Sequence, residues 1–147
     1  MAIYLNNNVG VKLATAAAPT TPSVDISSLV TNAVINQIVD ELEVTAMGDS
    51  SHRYVKGLES ATITVSFLND QATGEVLATL NAAYGTTVAW KAINNSTVAV
   101  GAENLLYSGD LLVNNLTPIN GGVGDMSTMD ITFTVNSSVT AASTGTF

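Results

Sequence analysis

At 147 residues the chain is the size of one ordinary domain, long enough to bury about two-thirds of its unfolded surface. Hydrophobic residues make up 46 % and charged residues only 11 %, against about 25 % in a typical soluble monomer, which excludes general disorder and leaves a surface that favours association. Twelve Asp and Glu face four Lys and Arg, a formal net charge of −8, so Lys12, Arg53, Lys56 and Lys91 are too few to form a nucleic-acid footprint.

In chain order, Ile3–Leu5 and Val9–Leu13 flank the turn-prone Asn6-Asn7-Asn8 and read as a short strand pair. Ala14–Ser23, uncharged and rich in Ala, Thr and Pro, reads as an extended or flexible connector. Asp25–Ala46 is ambiguous. Val30, Val34, Ile38 and Leu42 recur at helical spacing, while Glu41–Thr45 alternates as a strand does, and the β-branched content favours strand. Met47–Leu58 reads as a long polar loop. After it, Thr62, Thr64 and Ser66 alternate with Ile63, Val65 and Phe67, giving a strand with one hydroxylated and one apolar face.

Gln71–Tyr84 is the best helix. Asp70 or Thr73 is placed to cap it, Val76, Leu77, Leu80 and Tyr84 form one stripe, and Gly85 suits the position after its end. Strands are expected at Thr86–Ile93, Leu105–Asn114 and Thr128–Val135, separated by turns at Asn94–Ser96 and Asn120–Asp125. In the last strand Met129, Ile131, Phe133 and Val135 alternate with Thr128, Asp130, Thr132 and Thr134. Asn136–Phe147 reads as a mobile arm. These elements predict a mainly β chain, an antiparallel β-sandwich or partial barrel with one α-helix, forming one domain over 1–147 with an N-terminal segment at 1–24 and an arm at 136–147.

No chemistry of the catalytic kind emerges. His52 is the only histidine, and its polar neighbours Asp49, Ser50 and Ser51 are consecutive, whereas triad members arrive from separate segments. Gly121-Gly122-Val123-Gly124-Asp125 lacks the strand–loop–helix setting and the Lys of a phosphate loop. Asp40, Glu41 and Glu43 lack calcium-loop spacing. With no cysteine there is no disulfide, thiolate site or thiol nucleophile. No cofactor and no metal are expected. The Asn-x-Ser/Thr sequons at Asn94, Asn95, Asn115 and Asn136 carry little weight without a basic, apolar leader, and no run reaches the ~20 apolar residues of a membrane span. A non-enzymatic subunit that associates with copies of itself fits these features.

The segment Thr45–Asn69 carries a more specific signal. Its Thr-Ala-Met-Gly-Asp turn, charged stretch Ser51-His52-Arg53-Tyr54-Val55-Lys56, Gly57-Leu58 and hydroxyl-rich alternating strand resemble the tail tube (major tail) proteins of siphovirus-type bacteriophages, which have long non-contractile tails. Asp25-Ile26-Ser27-Ser28, the β-branched run ending in Glu43-Val44-Thr45, and the helix after the strand agree. Met47 stands where that family usually carries an aromatic.

The resemblance implies hexameric rings stacked into a virion tail tube for DNA ejection. Inner strands at about Val34–Thr45, Glu59–Leu68, Leu105–Asn114 and Thr128–Val135 would form a continuous barrel with the helix outside. It further implies an inter-ring loop comprising Met47, Gly48, Asp49, His52, Arg53, Tyr54, Lys56 and Gly57. A lumen lined by Thr62, Thr64, Ser66, Thr128, Asp130 and Thr132, joined by Glu41, Glu43 and Asp110, would let DNA slide without specific binding. Implied partners are further copies, a tape measure protein and tail tip and terminator proteins; assembly in the host cytoplasm follows, with no membrane partner. The alternatives are the inner tube of a contractile tail or secretion apparatus, and a β-sandwich decoration or binding module.

Overall fold

The computed structural model describes residues 3–5 and 7–147. Eight strands and one helix follow in the order β1 (Gly10–Thr15), β2 (Ala18–Asp25), β3 (Val30–Glu43), β4 (Tyr54–Leu68), α1 (Val76–Ala83), β5 (Thr87–Ile93), β6 (Leu106–Leu112), β7 (Thr128–Val135) and β8 (Thr140–Ala142). All pairings are antiparallel, in the order β2-β1-β5-β6-β7-β4-β3, with β8 also on β6. The sheet is open, mainly β with one helix, as its alternating patterns predict.

Along one side, β6 pairs first with β7 and then with β8. Leu112 pairs with Thr134 and Leu111 with Val135, after which β7 stops and the chain resumes pairing with β6 at Ser108–Thr140, Tyr107–Ala141 and Leu106–Ala142. Two residues more on the β7–β8 side than on β6 are taken up between these stretches, where Asp110 N–H donates to Ser137 Oγ at 2.9 Å and Asn136 N–H to the Asp110 carbonyl at 2.7 Å. Such irregularities let one strand serve two sheet halves. One half holds β2, β1, β5, most of β6 and β8; the other holds β3, β4 and β7. Both contribute to one core, in which Val11, Leu13 and Trp90 join Ile63, Phe67, Ile131 and Phe133, with Val76, Leu77 and Leu80 of α1.

Several segments depart from the sequence expectations. Ile3–Leu5 is not a strand, and Asn6 of the expected turn lies outside the described residues. The expected connector is mostly β2, an edge strand: Pro19 and Pro22 suggested irregular chain, yet proline is tolerated where one side of the strand has no ladder to complete. Asp25–Ala46 is strand, and β4 begins at Tyr54, inside the expected loop. The helix is shorter than expected because Gly74 takes φ +85°, outside helical geometry. Asp70 caps the preceding turn instead, its Oδ1 accepting from Ala72 N–H at 2.8 Å.

The 136–147 segment folds back on its own sheet rather than standing off as an arm. Phe147 lies over Gly10, with Lys12 Nζ 4.5 Å and Lys91 Nζ 5.9 Å from its ring centroid, and Lys91 also donates to the Thr146 carbonyl at 3.2 Å. Burial, then the neighbouring Lys12, pulls the Lys91 ammonium below its ordinary pKa, opposed by Asp25. Nothing in the sequence pattern marks Phe147 as a partner of these lysines.

The alternation on β4 gives a sharp test. Ile63 is wholly buried and Thr64 is not. Ile63→Ala should lower unfolding stability by about 2–5 kcal/mol, and Thr64→Ala by less than about 1 kcal/mol, by chemical denaturation. Comparable losses at both positions would mean the strand register is wrong.

Candidate assembly surface

Beyond the core, β3 and β4 continue as a two-stranded arm. Every residue from Asn36 to Lys56 is exposed, and pairing runs from Gln37–Ala61 out to Glu43–Tyr54, a projection of about 20 Å. Gly57 is needed at its middle. There β3 takes two residues, Val39 to Glu41, where β4 takes three, Glu59 to Lys56, and a Cβ on Gly57 would stand 2.9 Å from Asp40 Cβ and its carbonyl oxygen. An isolated hairpin is marginal in water, and this one exposes Ile38, Val39, Leu42, Val55 and Leu58. An apolar arm of this kind is the mark of a contact surface.

The tip is closed by its own polar groups. Val44 N–H donates to the Arg53 carbonyl at 2.8 Å, and Arg53 N–H donates to Thr45 Oγ1 at 3.0 Å. Thr45 Oγ1 in turn donates to Glu43 Oε1 at 2.8 Å, and His52 Nδ1 lies 2.6 Å from the same oxygen. Asp49 accepts from Ala46 N–H at 2.9 Å and lies 3.8 Å from the Arg53 guanidinium. Gly48, at φ +102°, lets the chain reverse there, and Met47 is left fully exposed. His52 and Asp49 are thus engaged in shaping the tip, with Glu43 rather than Ser50 or Ser51 as the histidine's partner. Tyr54, Lys56 and Gly57 belong to β4, with Tyr54 opposite Glu43 and Lys56 opposite Glu41.

Where the arm joins the body, β3, β4 and β7 present one hydroxylated face. Thr62 pairs with Thr134, Thr64 with Thr132, Ser66 with Asp130 and Leu68 with Thr128, while Asn36, Val34 and Asn32 continue these rows on β3. Thr64 and Thr132 hydroxyls are 2.8 Å apart. The opposite faces of β4 and β7 carry the buried Ile63, Val65, Phe67, Ile131 and Phe133.

Two acidic residues expected on the hydroxyl face, Glu41 and Glu43, are not there. Counting by two along β3 from Val34, which opposes Thr64, places Glu41 and Glu43 on the other side; the extra residue of the irregularity lies on β4 and does not change that count. Asp110, two residues along β6 from Leu112, which opposes Thr134, is on the same side of the sheet as the hydroxyl row. Asp110 and Asp130 remain of the expected carboxylates, among a larger number of hydroxyls.

At the far end of β4 lies a second exposed apolar group that the sequence pattern did not single out. Asn69 N–H donates to the Ser127 carbonyl at 3.0 Å, fixing the 117–127 loop beside the last residues of β4. Asn120 Nδ2 donates to the Thr128 carbonyl at 3.1 Å, and the Asp125 carboxylate accepts from Gly122 N–H at 3.0 Å. Ile119, Val123 and Met126 point to solvent. Glycines on either side of Val123 suggested only a flexible turn. Among the described residues no group of three or more His, Cys, Asp or Glu is placed to hold a metal ion, and no helix is long and apolar enough to cross a membrane.

No family model and no curated protein matches the sequence. Solved structures do match. One is a chain from the virion of a native gene transfer agent (GTA) particle, with a TM-score of 0.72 at 10 % identity. Another comes from the tail of an empty GTA particle with C6 symmetry, with a TM-score of 0.69 at 11 % identity. Each match covers 95 % of this chain and 99 % of the other. At such identities the likeness is one of fold, and it extends over nearly the whole of both chains.

The hydrogen bond from His52, and secondarily that from Thr45, holds the Glu43 carboxyl below the usual carboxylate range. A lowered folded-state pKa means that the tip's contribution is present above the ordinary carboxylate value and is lost as pH falls through the lowered one. An NMR titration should give Glu43 a midpoint below the ordinary carboxylate value, and His52→Ala should raise it. An unchanged midpoint in the variant would remove His52 from the tip's closure.

Proposed function

We propose that this chain is the structural subunit of a phage-like tail tube, assembled as hexameric rings that stack around a DNA passage. The observation that carries the proposal is full-length agreement in fold with chains of tailed particles, one of them a sixfold-symmetric tail. The body supplies features such a subunit needs. Its free β3 edge is long and unprotected, which in a lone protein invites edge-to-edge pairing; in a closed ring, pairing with the next subunit removes that edge.

The hydroxyl face of β3, β4 and β7 would then line the passage. Hydroxyls and amides hydrate well, and none of the chain's four cations lies on this face to hold a phosphate. With Asp130, and Asp110 on the same side of the neighbouring β6, as carboxylates, repulsion of phosphate adds to the lack of cations. The exposed arm would cross from one ring to the next, burying Leu42, Val55 and Met47 and carrying Arg53 and Lys56 to acidic partners. The rings would belong to the virion, built in the host cytoplasm; a tape measure protein inside and tip and terminator proteins at the ends complete the tail.

Purified protein viewed by negative-stain microscopy at rising concentration should form hollow tubes. The Arg53→Glu, Lys56→Glu variant should keep the wild-type circular dichroism spectrum while needing on the order of tenfold more protein to form them, the equivalent of about 1.4 kcal/mol per contact. A protein that stays monomeric at every concentration would contradict the tube, and normal growth of the double variant would contradict the role of the arm's cations.

A further inference from the structure

One edge of β7 is finished by side chains. β6 pairs with it only at Leu111–Val135 and Leu112–Thr134, and among the described residues no strand lies on that side from Thr128 to Phe133. Side-chain amides take the carbonyls there. Asn115 Nδ2 donates to the Thr132 carbonyl at 3.2 Å and Asn120 Nδ2 to the Thr128 carbonyl at 3.1 Å, the latter shared with Asn69 Nδ2 at 3.3 Å. Residues 118–126 otherwise bond within themselves, through the Asp125 N–H on the Gly122 carbonyl and the Gly122 N–H on the Asp125 carboxylate. Asn120 is therefore the tie between this stretch and the sheet.

Asn120 is also the chain's one asparagine followed by glycine. A backbone nitrogen can attack the side-chain amide carbon of the residue before it and close a five-membered ring. A side chain on the attacking residue, or a backbone held in a ladder or helix, ordinarily prevents this. Neither protects here. Gly121 has no Cβ, takes φ +126°, a region open to glycine, and its N–H makes none of the hydrogen bonds that tie the loop. Residues 119–126 are exposed, so water reaches the site. Every other asparagine is followed by a residue with a Cβ, and Asn32, Asn36 and Asn81 sit inside β3 or α1. The single exposed hydrogen bond of Asn120 is a weak restraint, because water competes for both of its partners.

We infer that Asn120 is a site of spontaneous deamidation, and that its conversion unties the 118–126 stretch from β7. The Gly121 nitrogen bonds to Asn120 Cγ, the Cγ–Nδ2 bond breaks, and ammonia leaves with the former Gly121 amide proton, giving a cyclic imide. Water then opens the imide at one of its two carbonyl carbons. Opening at Cγ gives aspartate; opening at the main-chain carbonyl gives isoaspartate, with the chain now running through Cβ. The balance is amide plus water to acid plus ammonia, with nothing oxidised or reduced. Either product is a carboxylate, which has no N–H to offer the Thr128 carbonyl. It adds a negative charge to a loop that already holds Asp125, and neither 69–75 nor 114–127 contains a Lys or Arg to balance it. Isoaspartate also lengthens the main chain inside the turn that Gly121 and Gly124 build with their positive φ.

The chemistry is that of the free chain and stands apart from the tube proposed above. Wild-type protein aged in warm, mildly alkaline buffer, then digested and sequenced by mass spectrometry, should show the amide-to-acid mass gain at Asn120 several-fold ahead of every other asparagine. Isoaspartyl methyltransferase should label the same peptide, and Asn120→Gln, whose longer side chain closes a ring far more slowly, should lose both signals. Hydrogen exchange over 118–126 should be faster in aged protein and in Asn120→Asp than in fresh wild type, while β4 keeps its protection. Conversion of Asn120 no faster than that of the exposed Asn115 would overturn the site, and this comparison needs no variant. Conversion that leaves exchange over 118–126 unchanged would overturn the untying.

Discussion

The two-residue period of the pleat, locked by the pairing of β4 with β3 and β7, is the constraint on which the structure depends. Ile63, Val65 and Phe67 go to the core because Ile131 and Phe133 stand opposite them on the same face. Thr62, Thr64 and Ser66 are therefore committed to the other face together with Thr132 and Asp130. A slip by one residue would bury a row of hydroxyls and expose three large apolar side chains, a cost that fixes the register. Past the one-residue irregularity at Gly57 the pairing continues outward along β3 and places Leu42 opposite Val55 on the arm, far from any core.

That rigidity also separates the roles of the two ends of β4. The body is held by one shared core drawn from both sheet halves and the helix, the halves being joined through β6. The arm has no core, only a ladder, a self-closed tip and exposed apolar side chains. Its stability is consequently tied to what covers it, and in the proposed tube the cover is another copy. The low charge content follows from the same idea, since a surface destined for subunit contacts needs fewer charges to stay soluble on its own.

Much of this was legible in the sequence because strands β4 and β7 alternate strictly and both faces are unmistakable. The resemblance found in Thr45–Asn69 named a kind of assembly that the fold comparison supports only at the level of architecture. Other features were hidden for identifiable reasons. Prolines at 19 and 22 disguised β2, because edge tolerance depends on a strand's neighbours and not on its own residues. Glu41 and Glu43 were assigned to the hydroxyl face from their charge, while their side is set by counting along β3 from its partners. Phe147 and its two lysines are far apart in sequence and meet only through the return of the 136–147 segment.

The most direct measurement is a helical cryo-electron microscopy reconstruction of the assembled protein at side-chain resolution. The account predicts a hollow tube of sixfold rings with Thr62, Thr64, Ser66 and Thr132 facing the central channel. A tube whose channel is lined by another face, with the β3–β4–β7 hydroxyls turned to the outside, would contradict it.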